Sequence, residues 1–310
     1  MRGITMSAPR FSAISVSLGP DAVGHLALAR PAKGNAINRE MWSELGPGLE
    51  HLVAAGARAI VLSGEGKNFC TGIDINSLMA EFGRPADVTA AKRAGDTGGA
   101  GGAGARVQQE PEAAAAGCHG RQRYHFRQFV FVLQDAMSAF ERCPVPVVAA
   151  VHGHCVGAGL DLITACDLRL ATEDAQFAVK EADLGIVADM GTLQRLPSIV
   201  GHGVAMDLAL TARTFTGAEA RALHLVSRTF PTQQALMAAA AALARSIAAK
   251  SPLAVVGTKR VLLHQRDHPG VPLGLDYVAT WNSAMLPGSA DIQEVFMARA
   301  EGRRPLFSRL

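Results

Sequence analysis

The chain has 310 residues, 49% of them hydrophobic and 18% charged, with a formal net charge of +3. That suffices to bury one large core, or a core with a smaller helical unit. So small a charge, with scattered basic residues and 5% aromatics, gives no support to a nucleic-acid surface or stacking platform. No apolar run is long enough to span a bilayer, since the Ala-rich run Ala235 to Ala249 is broken by Arg245 and Ser246.

Residues 1–12 read as a loose start without the apolar core of a secretory signal. Val23 to Ala29 alternates like a strand and is closed by Arg30-Pro31. A turn over Lys33 to Asn38 follows, with Asn38 placed to cap a helix through Trp42, Leu45 and Leu49. Ala57 to Ser63 is a short buried strand that runs into Gly64-Glu65-Gly66 and then Asn68 to Asp74. This order suggests repeated ββα-type turns in a layered α/β protein.

From residue 83 to 120 the composition shifts to Gly and Ala with scattered charge, which reads as a mobile insertion. Its GxGxxG match at Gly99, Gly101 and Gly104 has no strand before it and no periodic helix after it, so it does not support dinucleotide binding. Phe126, Val130, Leu133, Met137 and Phe140 then recur at helical spacing. Cys143-Pro144 ends that helix, and Val147 to Val151 is a continuous apolar strand.

The stretch Val148 to Gly191 carries the chemistry. A small-residue turn, Gly157-Ala158-Gly159, is followed by the carboxylates Asp161, Glu181 and Asp189, each in an apolar context. Burying an unpaired carboxylate costs several kcal/mol or forces protonation. Three such acids point to a pocket where proton affinity is tuned, unless they cap helices or pair with Arg169 or Lys180. The five cysteines form no CxxC pair and no zinc-like cluster with histidine, and His152, His154 and Cys155 lack a second ligand group. No metal site is expected, and the thiols read as reduced and mostly buried in an intracellular protein.

Short helices follow over Gly191 to Ile199 and Gly203 to Thr211. Thr216 with Glu219 makes a capping-box pattern, and Val226 to Phe230 is a last strand. Helical patterns then fill Gln233 to Lys250, Pro252 to Gln265, Leu273 to Met285 and the segment after Ser289. The chain thus divides into an α/β body over residues 1–213 and a helical region over residues 214–310, whose apolar faces suit another subunit or a lid.

Arg30-Pro31-Ala32-Lys33-Gly34-Asn35-Ala36, Phe69-Cys70-Thr71-Gly72-Ile73-Asp74 and His152 to Gly159 resemble, in order and spacing, the enoyl-CoA hydratase/isomerase (crotonase) superfamily. The likeness sharpens at Gly159 to Asp167, Lys180 to Gly185, Ala188 to Pro197 and Leu275 to Asn282, and covers about residues 12–80 and 124–298. It implies an α/β crotonase-like spiral of ββα repeats with a C-terminal helical trimerisation region, assembled as a homotrimer or a hexamer of two trimers. It also implies an acyl-CoA thioester substrate and conversion of a 3,5-dienoyl-CoA to its 2,4 isomer in fatty-acid β-oxidation, with CoA as part of the substrate and no separate cofactor.

The resemblance places the backbone N–H groups of Thr71 and Ala158 in an oxyanion hole. Lys33, Gly34, Asn35 and Ala36, with Gly72, Ile73 and Asp74, fall at CoA- and substrate-binding positions. It assigns proton transfer to Glu181 and Asp189, with Asp161 as a buried third group tuning Glu181. Hydration in this superfamily uses two glutamates to hold a water. Here the first position is Asp161, and the residue eight after Glu181 is Asp189, which favours isomerisation. A 2-enoyl-CoA hydratase or Δ3-Δ2 isomerase of the same fold, and a non-catalytic scaffold, are the competing readings. The presence of all three acids argues against the scaffold. Ser308-Arg309-Leu310 resembles a peroxisomal address, with a mitochondrial or cytosolic home as the alternative.

Overall fold

The computed structural model describes residues 10–75 and 118–309. The Gly/Ala-rich segment and its GxGxxG match lie outside these residues up to position 117, as do residues 1–9 and Leu310. The strands are β1 (Ile14–Leu18), β2 (Val23–Leu28), β3 (Ala59–Gly64), β4 (Val147–Val151), β5 (His154–Val156), β6 (Leu168–Thr172), β7 (Gln176–Ala178), β8 (Phe215–Thr216) and β9 (Arg228–Phe230). The helices are α1 (Arg39–Ala55), α2 (His119–Arg142), α3 (Ala158–Thr164), α4 (Thr192–Val200), α5 (His202–Thr211), α6 (Gly217–Ala222), α7 (Gln233–Ala248), α8 (Pro252–Asp267), α9 (Val271–Met285) and α10 (Ala290–Ala300).

The main sheet runs β1-β2-β3-β4-β6-β9, parallel except for the β1–β2 pair, and β5-β7-β8 forms a second sheet. Parallel strands covered on both faces must be apolar throughout, which is why β4 (VVAAV) is buried at every position. One face packs under α1 and α2 through Leu26, Leu45, Ile60, Phe140 and Val147. The other face, Val23, Val61, Val148 and Leu170 among others, packs against the alanine stripe Ala240, Ala244 and Ala248 of α7. The boundary at residue 213 therefore crosses the layered body, because β8, β9 and α7 complete its sheets before the chain turns wholly helical.

Asn38 caps α1 as its sequence suggests, accepting from the Met41 N–H at 3.1 Å. At α6 only half the capping box forms. Thr216 Oγ1 accepts from the Glu219 N–H at 3.2 Å, but the Glu219 carboxylate turns instead to Arg213 at 2.7 Å.

Helix α8 is tied to the body by a buried ion pair. Lys259 Nζ lies 2.7 Å from Asp167 Oδ2 and donates to the Phe140 and Val145 carbonyls at 3.3 and 3.4 Å. The same Asp167 oxygen accepts from the Val147 N–H at 2.7 Å, so the pair also holds the start of β4. Beyond it, α8 to α10 enclose a cavity of about 590 Å³ and leave Leu262, Val271, Leu273, Leu275 and Phe296 exposed. No single helix among the described residues is long and apolar enough to cross a membrane.

Candidate active site

The turn entering α3 is built on Gly157, whose φ of 53° with ψ of −118° is costly for any residue bearing a Cβ. Its N–H donates to the Ala178 carbonyl at 3.0 Å, while its carbonyl accepts from Leu160 and Asp161 at 2.7 and 3.1 Å. Ala158, the first residue of α3, is buried and its N–H finds no acceptor among the described residues. A Cβ on Gly157 would stand 3.3 Å from Glu181 Oε1 and 4.0 Å from Gly72 Cα, so the turn, the acid and the Gly72 segment converge.

On that segment the structure corrects the expectation for Thr71. Its N–H donates to the Gly34 carbonyl at 3.0 Å and is not open to a thioester. Ile73 pairs with Ile37 in a parallel bridge in which Ile37 N–H donates to Gly72 O at 2.8 Å and Asp74 N–H to Ile37 O at 2.9 Å. Such a bridge turns the N–H of Ile73 itself away from its partner. That N–H takes no acceptor among the described residues, nor does that of Gly72, and these are the donors the segment leaves open.

The seven expected CoA- and substrate-binding positions separate by geometry. Lys33 is exposed at the end of a short 3-10 turn, and Gly34 and Ala36 are half-buried beside it. Asn35 is corrected: its side chain is fully buried and faces inward. Its Oδ1 accepts from the Arg30 N–H at 2.9 Å, and its Nδ2 donates to the Glu65 and Asn68 carbonyls at 2.8 and 2.7 Å. It is an internal tie between two turns rather than a ligand contact. Asp74 is likewise taken up, in an ion pair with Arg30 at 2.9 Å. Gly72 is buried and Ile73 half-buried alongside Gly157.

The three acids share one electrostatic environment. Asp161 is 1% exposed, and its Oδ1 accepts from the Thr192 N–H at 2.7 Å, at the start of α4. Burial pushes its carboxyl up to about 6, against the pull of the Thr192 hydrogen bonds. Burial, then the charge of Asp161, pushes Glu181 up to about 7, and Asp189 adds to the shift. Glu181 Oε2 is buried without a hydrogen-bond partner among the described residues. Asp189 is half-buried, and burial holds it above the ordinary aspartate value. A buried carboxyl oxygen without a partner, raised in proton affinity, is the kind of group that proton transfer uses.

Neither basic residue considered as a partner pairs with these acids. Lys180 turns to Asp183 at 2.8 Å, and Arg169 donates to the carbonyls of Leu225 and Cys166 at 2.8 and 2.7 Å. Of the structural alternatives, capping holds for Asp161 alone. The supports on α2 and α4, Gln134, Thr192 and Arg195, are not legible in the sequence, because the first two join segments 55 and 31 residues apart and Arg195 turns back across the start of α4 to the Met190 carbonyl. The five thiols are free, with Cys118 half-buried and the others buried.

The chain matches the Enoyl-CoA hydratase/isomerase family over residues 19–94 and 113–308. It is 44% identical over 290 residues to the peroxisomal Delta(3,5)-Delta(2,4)-dienoyl-CoA isomerase of Arabidopsis thaliana, covering 93% of this chain and 94% of that one. The mitochondrial human protein of the same name is 38% identical over 295 residues, covering 94% and 80%. Among solved structures, an enoyl-CoA hydratase from Bacillus anthracis superposes with a TM-score of 0.76 at 26% identity, covering 96% and 99%.

Proposed function

The chain belongs to the enoyl-CoA hydratase/isomerase family, and from that premise we propose that it converts 3,5-dienoyl-CoA thioesters to their 2,4 isomers in fatty-acid β-oxidation. The observation that carries the reading is Glu181 Oε2, buried without a partner among the described residues on an acid that lies against the Gly157-Ala158 turn, with a second acid, Asp189, half-buried and near enough to add to its raised proton affinity.

The reaction removes a proton from C2 and adds one at C6, with no net change in composition or oxidation state, so it asks for no electron carrier. One carboxyl must be ionised and the other protonated, and Glu181 and Asp189 supply that pair. Loss of the C2 proton builds negative charge on the thioester oxygen. The N–H groups of Ala158 and Ile73 receive it, each such donor being worth roughly 2.7–4 kcal/mol in related acyl chemistry. Asp161 stays off the substrate and keeps the proton affinity of Glu181 high through its charge. Lys33, exposed at the rim, meets the polar part of CoA.

The test is growth of the conjugated 2,4-dienoyl absorbance band on addition of a 3,5-dienoyl-CoA. Hydration of a 2-enoyl-CoA without that band would overturn the assignment. The two acids also set the pH dependence. On the alkaline side kcat/KM falls as the last proton leaves the pair, near the value of about 7 to which Glu181 is raised, since no donor remains. On the acid side it falls when both carboxyls are protonated, above the ordinary aspartate value, since no base remains. A profile flat through neutrality would contradict the pair.

Assembly and compartment belong to the same reading. The exposed apolar side chains of α8 to α10 support a homotrimer, stacked in pairs as a hexamer. Light scattering that returned a monomer at micromolar concentration would refute it. The relatives carry peroxisomal and mitochondrial names. A peroxisomal home is the one we propose, and imaging of a fluorescent fusion tests it, a wholly mitochondrial or cytosolic signal refuting it.

A further inference from the structure

We infer that Arg195 is a positioning residue for the Asp189 carboxyl, acting together with Gln134 on the backbone of the Asp189-Met190-Gly191 segment. The inference rests on the proton-transfer role proposed for Asp189.

Asp189 sits on a segment between the half-turn after Glu181 and the start of α4, outside any helix or strand. The preceding side chains Ile186 and Val187 are 42% and 74% exposed, and the segment itself borders a cavity of about 390 Å³. Ala188 and Met190 are buried in the core on either side, while Asp189 between them is half-buried, and two hydrogen bonds to carbonyls of the segment add to that packing. Gln134 Nε2, from α2, donates to the Asp189 carbonyl at 2.7 Å. Arg195 Nη1, from α4, donates to the Met190 carbonyl at 3.4 Å and lies 1.9 Å from where a Gly191 Cβ would stand. No larger residue fits at position 191 while the guanidinium holds this place.

Arg195 is itself fixed. Its Nε and Nη2 lie 3.2 Å from the two Glu141 oxygens, and Nη2 donates to Ser138 Oγ at 2.9 Å. Arg266 pairs with Glu141 from the other side and with Asp267 at 2.8 Å. At 8% exposure, so elaborate a network is costly unless its geometry is needed. The guanidinium also acts on the acid cluster, since its charge lowers Asp161 against the charge of Asp189. The charged groups around it are thus Glu141 on α2, Arg266 and Asp267 on α8, Asp161 on α3 and Asp189 itself.

A donor or base displaced by about 1 Å costs on the order of 100-fold in rate. Arg195→Met keeps the apolar stem and leaves Glu141 paired with Arg266, so the fold survives. Its kcat in the diene assay is expected to fall roughly 10- to 100-fold while KM changes little. Arg195→Lys, which restores one donor and the charge, recovers part of the loss. Gln134→Leu, which introduces no charge imbalance, lowers kcat in the same way, and serves if Arg195→Met does not fold. Wild-type kcat in Arg195→Met and Gln134→Leu overturns the inference, as does a loss lying in KM alone. Absence of the diene band with wild-type enzyme overturns instead the reaction assignment on which it rests.

Discussion

Asp189→Asn is expected to lower dienoyl isomerisation by about 10²- to 10⁴-fold, the range typical of a lost acid or base. The amide is nearly isosteric, and what anchors residue 189 is its carbonyl, held by Gln134, rather than its carboxyl. The fold and the affinity for an acyl-CoA are therefore retained, and the loss appears in kcat. A second effect accompanies it. The negative charge of Asp189 helps to raise both Glu181 and Asp161, so in its absence both hold their protons less tightly. Diene absorbance and calorimetric titration of a thioester on the same preparation separate the two quantities. Near-normal turnover would remove Asp189 from the mechanism.

The largest stability effect is expected at Lys259, far from this chemistry. Lys259→Met leaves Asp167 buried without its cation, and breaking a buried pair from one side costs about 3–5 kcal/mol. Burial already pushes the Asp167 carboxyl up despite Lys259, and once Lys259 is gone only the Val147 N–H and the more weakly acting charge of Arg169 oppose that push. The Val147 N–H is its one remaining hydrogen bond among those described. Urea unfolding should show the full loss for the single variant and a clear recovery for Lys259→Met with Asp167→Asn, where no buried charge is orphaned. A double variant no more stable than the single one would mean that Lys259 acts through packing of its stem and not through the pair.

Elements with a strong period or an unbroken apolar run are readable from residue order alone. β2, β3 and β4, the α1 cap at Asn38 and the alanine face of α7 are all visible as patterns, because burial on two faces or along one stripe leaves no other composition. Motif order was enough to identify the family and to single out Asp161, Glu181 and Asp189. Strands β1, β5 and β7 are not visible in this way. β5 and β7 have three residues each, too few to show a period, and β1 is an edge strand with serines on its open face.

Tertiary structure decided which groups are free to act. Thr71 and Ile73 both lie on the segment leading from β3, and only the pairing with Gly34 and Ile37 leaves one N–H bound and the other open. Asn35 has the chemistry of a ligand contact, yet three inward hydrogen bonds and full burial make it a tie. Proton affinity follows the same rule. An acid in an apolar stretch of chain is only a candidate, whereas desolvation and the charge of a neighbour distant in sequence raise Glu181 to about 7. Residue identity fixes what a group can do, but hydrogen-bond register and burial fix whether it is available, and both arise from contacts between segments that chain order does not display.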